Sequence, residues 1–262
     1  MCTIALLYRV HLEFPLVVAA NRDEFYQRPA SRPQLLSSYP HSIGGLDLRE
    51  QGTWMGANER GLTVGLTNQR THASPDLSLQ SRGRLVRRLL GARSVDEIRS
   101  LLLKINPAQY NPFNLFFGDA ACLFVAYARH DKKPISLQKL EPGVYALCND
   151  RIGSPEFPKA DRVRRRAIEI VSQPWSRLKE SLVDILSDHD LPPIEAVPEP
   201  PVNSIFTRSQ LHRLQAVCIH GEHYGTCSAT LIALSKSGVA HYLFADGPPC
   251  QTPFTEVTEM LL

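Results

Sequence analysis

Residues 1–24 read MCTIALLYRVHLEFPLVVAANRDE, and this stretch decides the fold. Two apolar runs, residues 3–10 and 14–20, lie on either side of a short polar turn, a pattern typical of an antiparallel strand pair. The polar residues 21–28 that follow predict a loop at the end of the second strand. Because loops at strand ends commonly carry functional groups, we expect this loop to contribute to a site.

Cys2 is the position that suggests chemistry most directly. Removal of Met1 would leave one residue with both a thiol and a free α-amine, whose pKa of about 7.7–8.0 makes it a base at neutral pH without a histidine. Arg22, across the predicted hairpin, would lower the pKa of the thiol, and Asp23 would hold the amine. The alternative interpretation is a chance cysteine beside a solvated polar turn whose ion pair is worth about 0–1 kcal/mol.

The composition is that of an ordinary globular protein and excludes several classes. The chain has 262 residues, of which 43% are hydrophobic and 21% charged, and we expect one domain over residues 1–262. The net charge of +3 is too small to indicate a nucleic-acid or membrane-surface partner. No apolar run reaches the ~18 residues that cross a bilayer, and the start does not resemble a signal peptide. We therefore expect a cytoplasmic protein with a small-molecule partner and no membrane insertion.

The rest of the chain alternates groups of strands with groups of helices. The glycine-rich residues 43–68 predict short strands joined by tight turns, and residues 81–90 and 94–104 predict helices, the second opening on a capping box. Further strands are predicted at residues 113–127, 144–147, 214–220, 227–235 and 239–245, and further helices at residues 159–172 and 175–188. Because short turns between strands suit antiparallel sheets, we predict an α+β fold of two stacked antiparallel sheets with helices on the outer faces.

Two asparagines, Asn68 and Asn149, each follow an apolar strand. Side-chain amides at such positions can donate hydrogen bonds to a developing oxyanion. The alternative interpretation is a turn residue, because asparagine tolerates turn geometry.

The six cysteines form no CxxC pair, but one cluster contains zinc-ligand residue types: Cys218, His220, His223 and Cys227. This stretch also fits a hairpin, in which side chains alternate between faces and all four would not converge. We therefore predict no metal site. The basic residues 82–93 are interpreted as a solvated helical face.

Together these motifs resemble those of the NRDE family, the transport and Golgi organization protein 2 family. The matching segments run in order over nearly the whole chain: MC at residues 1–2, NRDE at 21–24, RP at 28–29, GGLD at 44–47, GTWMG at 52–56, NERGL at 58–62, LTN at 66–68 and YGT at 224–226. That family in turn is similar to the N-terminal-nucleophile hydrolases of the choloylglycine hydrolase and penicillin V acylase group. The resemblance implies a four-layered αββα sandwich.

In that hydrolase group, the cysteine at position two attacks a linear amide. The resemblance therefore implies that Cys2 is the nucleophile, that Asp23 lies near the freed amine, and that Arg22, or Asn21 if the local alignment slips, matches the neighbouring arginine. It also implies an oxyanion donor at Asn68 and a substrate-placing group at Asn149.

Three further positions complete the predicted site. The matching motifs suggest that Asn21, Trp54 and Tyr224 contact substrate. The family usually has an arginine after Tyr-Gly-Thr, and this chain has Cys227 there. If that arginine anchors an anionic substrate or tunes the nucleophile, this member acts differently or not at all.

The resemblance leaves two hypotheses for function. The first is hydrolysis of a linear, non-peptide amide without a cofactor. The second is binding of haem or another hydrophobic ligand in the same pocket without chemistry, since family members are linked to haem trafficking and to lipid or acyl-CoA homeostasis. Histidines such as His72, His220 and His223 offer haem ligands, but the sequence singles out none of them.

Overall fold

A computed structural model of the chain describes residues 2–130 and 132–261. The strands of this part are β1 (Thr3–Tyr8), β2 (Leu16–Phe25), β3 (Ala30–Ser38), β4 (His41–Asp47), β5 (Met55–Asn58), β6 (Thr63–Asn68), β7 (Phe113–Gly118), β8 (Leu123–Arg129), β9 (Lys132–Lys139), β10 (Gly143–Leu147), β11 (Tyr224–Ser235), β12 (Gly238–Ala245) and β13 (Thr255–Glu256). The α-helices are α1 (Arg82–Leu90), α2 (Val95–Lys104), α3 (Pro158–Ile170), α4 (Trp175–Leu186) and α5 (Arg208–Arg213). No helix among the described residues has the length and apolar character that a membrane crossing requires.

The strands form two sheets in which every neighbouring pair is antiparallel. The first sheet has the order β10-β1-β2-β11-β12-β13, and the second has the order β3-β4-β5-β6-β7-β8-β9. The hairpin predicted from the first 20 residues is confirmed, with Ile4 opposite Ala20 and Tyr8 opposite Leu16.

The sheets stack face to face, and helices cover both outer faces. Side chains such as Leu6 and Val18 pack between the sheets with Phe116 of β7. The other face of β1 and β2 packs against α3 and α4, and the outer face of the second sheet packs against α1 and α2. The predicted αββα order of layers is therefore confirmed.

The capping box predicted at the start of α2 is formed in part. The side chain of Ser94 accepts a hydrogen bond from the Glu97 amide, but the Glu97 carboxylate accepts one from the Arg93 amide, one residue earlier than the box requires. At the start of α1, the side chain of Ser81 accepts a hydrogen bond from the Arg84 amide. The prediction of a solvated basic face on α1 is wrong in part, because Arg87 is half-buried and donates hydrogen bonds to Leu36 O.

One loop prediction and one strand prediction are wrong. The sequence predicts a loop at residues 21–28, but β2 continues to Phe25 because β11 supplies partners for its backbone groups, with Asp23 opposite Thr226. Residues 214–220 were predicted as a strand, but they form turns and bends after α5. In that segment, two successive amides, Val217 N and Cys218 N, both donate to one carbonyl, which a β-ladder does not allow.

The sequence pattern of residues 30–38 did not predict the edge strand β3. The strand is largely exposed and contains Pro33, so its polar sequence lacks the alternation of a half-buried strand.

Candidate active site

Cys2 lies one residue before β1, at the end of the first sheet. The register that pairs Thr3 with Asn21 places Arg22 beside Cys2 on one side, and the pairing of β1 with β10 places Asn149 on the other. Since side chains alternate along a strand, Cys2 shares the inner face of the sheet with Arg22. The structure thus brings together residues that are 20 and 147 positions apart.

A small pocket beside Cys2 holds about 10 Å³, which is roughly the room that one water needs. The Arg22 guanidinium carbon lies 4.4 Å from the centre of the Trp54 ring, a cation–π contact that forms one wall. Gly45 explains how the indole reaches this place, because a Cβ at Gly45 would lie 2.2 Å from the Trp54 ring. The other lining residues are Ile4, Ala20, Asn21, Met55, Leu66 and Thr230.

Arg22 carries its charge with little exposure, at 6% of its surface. Among the described residues, no carboxylate lies within 4.0 Å of its guanidinium. Burial is the largest effect on the pKa of the Cys2 thiol and raises it, and the charge of Asp23 raises it further, whereas a hydrogen bond with the Asp23 backbone and the charge of Arg22 lower it. The thiol is therefore protonated at neutral pH, and its use as a nucleophile requires a base.

Asp23 lies on the face of β2 opposite to that of Arg22, and residues of β11 hold it in place by hydrogen bonds. Its carboxylate accepts a hydrogen bond from Thr226 Oγ1 at 2.7 Å, and its backbone carbonyl accepts one from the Tyr224 hydroxyl at 3.0 Å. Burial raises the pKa of Asp23, an effect that the buried Lys159 reduces. Two members of the YGT motif thus position Asp23, and nothing in the sequence indicated that Lys159 would be near it.

Two of the three predicted substrate contacts direct their side-chain polar groups to structural partners. The Asn21 side-chain amide donates to Leu186 O at 2.8 Å and to Val217 O at 3.0 Å, so it ties β2 to the end of α4. The Tyr224 hydroxyl is directed to the backbone of Asp23. Trp54, the third, lines the Cys2 pocket as described.

The two predicted asparagines lie together where the two sheets meet. Asn149 Nδ2 donates to the backbone carbonyl of Asn68 at 2.7 Å. Asn149 is buried, whereas the side chain of Asn68 is exposed. The buried amide is thus fixed in place by the other asparagine's backbone.

A cleft of about 390 Å³ adjoins the Cys2 pocket and shares Arg22 and Trp54 with it. Its wall also includes Arg28, whose charge is compensated by Asp47 at 2.6 Å. Cys227 opens onto it at the position where the resemblance leads one to expect an arginine. The remaining lining residues are Tyr26, Pro29, Ala30, Ser31, Thr226, Ser228, Phe244, Asp246 and Pro248. Sequence reasoning missed Phe244 and Asp246, because no motif links β12 to this site, and it did not single out Tyr26 within residues 21–28.

The four residues weighed as zinc ligands do not converge. Cys218 and His220 lie together, but the Cys227 thiol donates to Glu24 O at 3.4 Å and His223 is exposed beside Glu222. Of the four, only Cys227 lies in a strand, so the separation follows from the bends between residues 218 and 223 and not from the strand alternation that the sequence suggested.

Comparisons with known proteins agree with this architecture. A model of the family described as Transport and Golgi organisation 2 matches residues 1–244. The Transport and Golgi organization protein 2 homologs of Bos taurus and Homo sapiens are each 31% identical over 254 residues, covering 89% of this chain and 86% of theirs.

Solved structures of two hydrolases share the fold. Penicillin V acylase from Agrobacterium tumefaciens aligns with a TM-score of 0.55 and 14% identity, over 98% of this chain and 87% of that one. The mutant C2A of conjugated bile acid hydrolase from Clostridium perfringens aligns with a TM-score of 0.51 and 14% identity, over 100% and 94%. The resemblance to the N-terminal-nucleophile fold is thereby confirmed, and the chain belongs to the Transport and Golgi organisation 2 family.

Proposed function

We propose that this protein hydrolyses a linear, non-peptide amide, with Cys2 as the nucleophile once Met1 has been removed. The observation that carries the proposal is the Cys2 pocket: a thiol at the end of a sheet, beside a guanidinium that has no carboxylate partner among the described residues. A cation there stabilises the thiolate that attacks a carbonyl.

The first half of the reaction forms an acyl-enzyme. The free α-amine of Cys2 takes the thiol proton, and the thiolate sulfur bonds to the amide carbonyl carbon. The resulting ammonium gives its proton to the leaving nitrogen as the carbon–nitrogen bond breaks, which leaves a thioester on Cys2. A base is required because burial raises the pKa of the thiol.

The second half releases the acid. The α-amine takes a proton from water, the hydroxide oxygen bonds to the thioester carbon, and the thiol leaves with the proton. We assign Asn149 to the oxyanion in both halves, because its buried Nδ2 carries two hydrogens and donates only one of them to Asn68 O. Asn68 contributes by holding Asn149 and by its own exposed amide.

Substrate binding is assigned to the adjoining cleft. Trp54, Tyr26 and Phe244 supply aromatic surface for an apolar acyl group, and Arg22 lies at the junction between cleft and pocket. An acyl chain in the cleft would therefore present its amide carbonyl to Cys2.

The experiment begins with the intact mass of the purified protein, which we expect to be short by one methionine. A panel of N-acyl amides is then tested with the wild type, Cys2→Ala and the control Cys122→Ala, which changes a half-buried cysteine in the turn before β8. We expect turnover and a thioester adduct at Cys2 in the wild type and in the control, and neither in Cys2→Ala. Full activity of Cys2→Ala would overturn the proposal.

A second variant separates the thiol from its amine. Inserting one alanine between Met1 and Cys2 keeps the thiol but converts the cysteine nitrogen into an amide, which is no base. We expect this variant to be as inactive as Cys2→Ala. Retained activity would mean that another group takes the proton.

The alternative of haem binding stays a prediction. His72 Nδ1 forms a hydrogen bond of 3.1 Å with Ser204 Oγ. None of the three histidines His72, His220 and His223 lines the cleft. A saturable Soret shift on haem titration that survives in Cys2→Ala would favour this alternative.

A further inference from the structure

Outside the proposed active site, two thiols and two imidazoles converge near the surface. We call His189, Cys218, His220 and Cys250 the thiol–imidazole cluster. One ligand atom from each lies within 4.8 Å of all the others. Cys218 is buried, and the other three are exposed.

The three separations among Cys218, His220 and Cys250 are close to those around a tetrahedral metal ion. The two sulfurs of Cys218 and Cys250 are 3.6 Å apart, and His220 Nε2 lies 3.7 Å from the first and 3.2 Å from the second. Zinc, with bonds of about 2.3 Å to sulfur and 2.0–2.1 Å to nitrogen, separates tetrahedral sulfurs by about 3.8 Å and sulfur from nitrogen by about 3.5 Å. We propose that the thiol–imidazole cluster binds one zinc ion through four protein ligands.

The orientation of His189 fits this role. Its Nδ1 lies 3.0 Å from Cys218 O, and this hydrogen bond makes Nδ1 the protonated nitrogen and leaves Nε2 as the ligand atom. Metal-bound histidines commonly donate their second ring nitrogen in this way, which sets the tautomer and the ring direction. The ring centres of His189 and His220 are 5.1 Å apart, a separation that two imidazole ligands of one ion can have.

The ligands come from three segments that the fold already holds together. The backbone amides of Val217 and Cys218 donate to Asp188 O at 3.0 and 2.8 Å. The Asp188 carboxylate in turn accepts from Arg162 at 2.9 Å and from Arg166 at 3.1 Å. These hydrogen bonds hold His189 and Cys218 in position relative to each other. Cys250 is contributed by the loop after β12.

The cluster is linked to Asp23 through one hydroxyl. The amide of Ile219, which lies between two of the ligands, donates to Thr226 Oγ1 at 2.9 Å, and that hydroxyl donates to the Asp23 carboxylate at 2.7 Å. A zinc ion with four protein ligands is closed to substrate, so its role here is to brace this segment. The zinc proposal rests on the cluster's own geometry and does not depend on the amidase proposal.

The test measures metal directly. The full chain is purified under reducing conditions without metal-chelating resin, and zinc is counted by mass spectrometry of the elements. Cobalt(II) is then titrated into metal-free protein and followed by its absorption spectrum. We expect one zinc per chain, and strong tetrahedral cobalt bands with a sulfur-to-metal transition. A stoichiometry near zero with no cobalt spectrum would overturn the proposal.

Variants assign the signal to these residues. Cys250→Ser and His220→Gln change exposed ligands and are expected to fold. Each should weaken cobalt binding by at least about 100-fold, since loss of an outer-shell partner of a metal ligand already costs about 10–100-fold. The matched controls Cys227→Ser and His223→Gln change nearby residues of the same types and should bind cobalt as the wild type does. Equal binding by ligand and control variants would overturn the assignment.

Two further readouts are independent of enzymatic activity. A chelator should lower the melting temperature of the wild type and leave that of Cys250→Ser unchanged. A mass lower by two hydrogens, mapped to a Cys218–Cys250 disulfide in protein from reducing cells, would overturn the zinc proposal in favour of a thiol pair.

Discussion

The two halves of β2 lie in one continuous strand and have opposite side-chain chemistry. Residues 16–20 are aliphatic and buried on both faces, and residues 21–23 are almost as buried but are polar or charged. Both halves pair with β11. Burial of the first half stabilises the fold, whereas burial of polar groups costs free energy unless each finds a partner. The second half is therefore where the chain gives up stability to place functional groups.

The largest effect on stability is expected from the apolar half. Leu16 is fully buried between the sheets, so Leu16→Ala removes apolar contacts and leaves a cavity. We expect a loss of ~2–5 kcal/mol in the free energy of unfolding, measured by urea denaturation. Leu12→Ala, at a residue that is 94% exposed, is the control, and equal losses in both variants would contradict this account.

A smaller loss is expected from the first polar residue. Asn21→Ala deprives Leu186 O and Val217 O of a donor in a buried place, which we expect to cost ~1–3 kcal/mol in the same assay. The exposed Asn68→Ala serves as the stability control. A loss below that of the control would mean that the Asn21 bonds contribute nothing.

The polar loop after β10 extends the comparison to pH. Burial alone would raise the pKa of Asp150, but hydrogen bonds from Ser154, Gln69 and Arg129 outweigh it and hold that pKa below 3.8. A carboxyl group whose pKa is lower in the folded protein than in the unfolded chain stabilises the fold fully at pH values above its unfolded-state pKa. This stabilisation is lost as the pH falls through the folded-state pKa.

Asp150→Asn should therefore destabilise the protein by ~1 kcal/mol at pH 7, since it removes charge-assisted hydrogen bonds from a partly exposed site. The difference from wild type should shrink as the pH is lowered below 3.8. Urea denaturation at pH 7, 4 and 3 measures it, and a difference that grows on acidification would contradict the sign.

The smallest effect on stability, with a clear chemical effect, is expected at Arg22. Arg22→Met loses a cation–π contact worth ~0.5–2 kcal/mol and regains apolar contact with Trp54, so we expect a net change below ~1 kcal/mol. Because Arg22 lowers the pKa of Cys2, its removal should decrease the thiolate fraction.

Alkylation by iodoacetamide at pH 7 to 9 tests this without a substrate. We expect the rate at Cys2 to fall in Arg22→Met, with Cys122 in the same sample as internal control. A rate that stays equal or rises would show that Arg22 does not act on the thiol.

Much of the framework followed from local pattern. The first hairpin, the serine cap of α2 and the αββα layers could be predicted, because alternation, capping and turn chemistry act over a few neighbouring residues. Cys2, Arg22 and Asp23 could be singled out for the same reason, since they lie within one short stretch.

Tertiary structure alone decided the rest. Residues 21–25 extend β2 because β11, some 200 residues later, satisfies their backbone, and no local signal carries that pairing. The contact of Asn149 with Asn68 and the convergence of His189 with Cys250 likewise depend on segments that only packing brings together. The sequence by itself determined which residues have reactive or ligating side chains, and the fold decided which of them lie close together. Contacts between distant segments could not be predicted, because they produce no periodic pattern in the sequence.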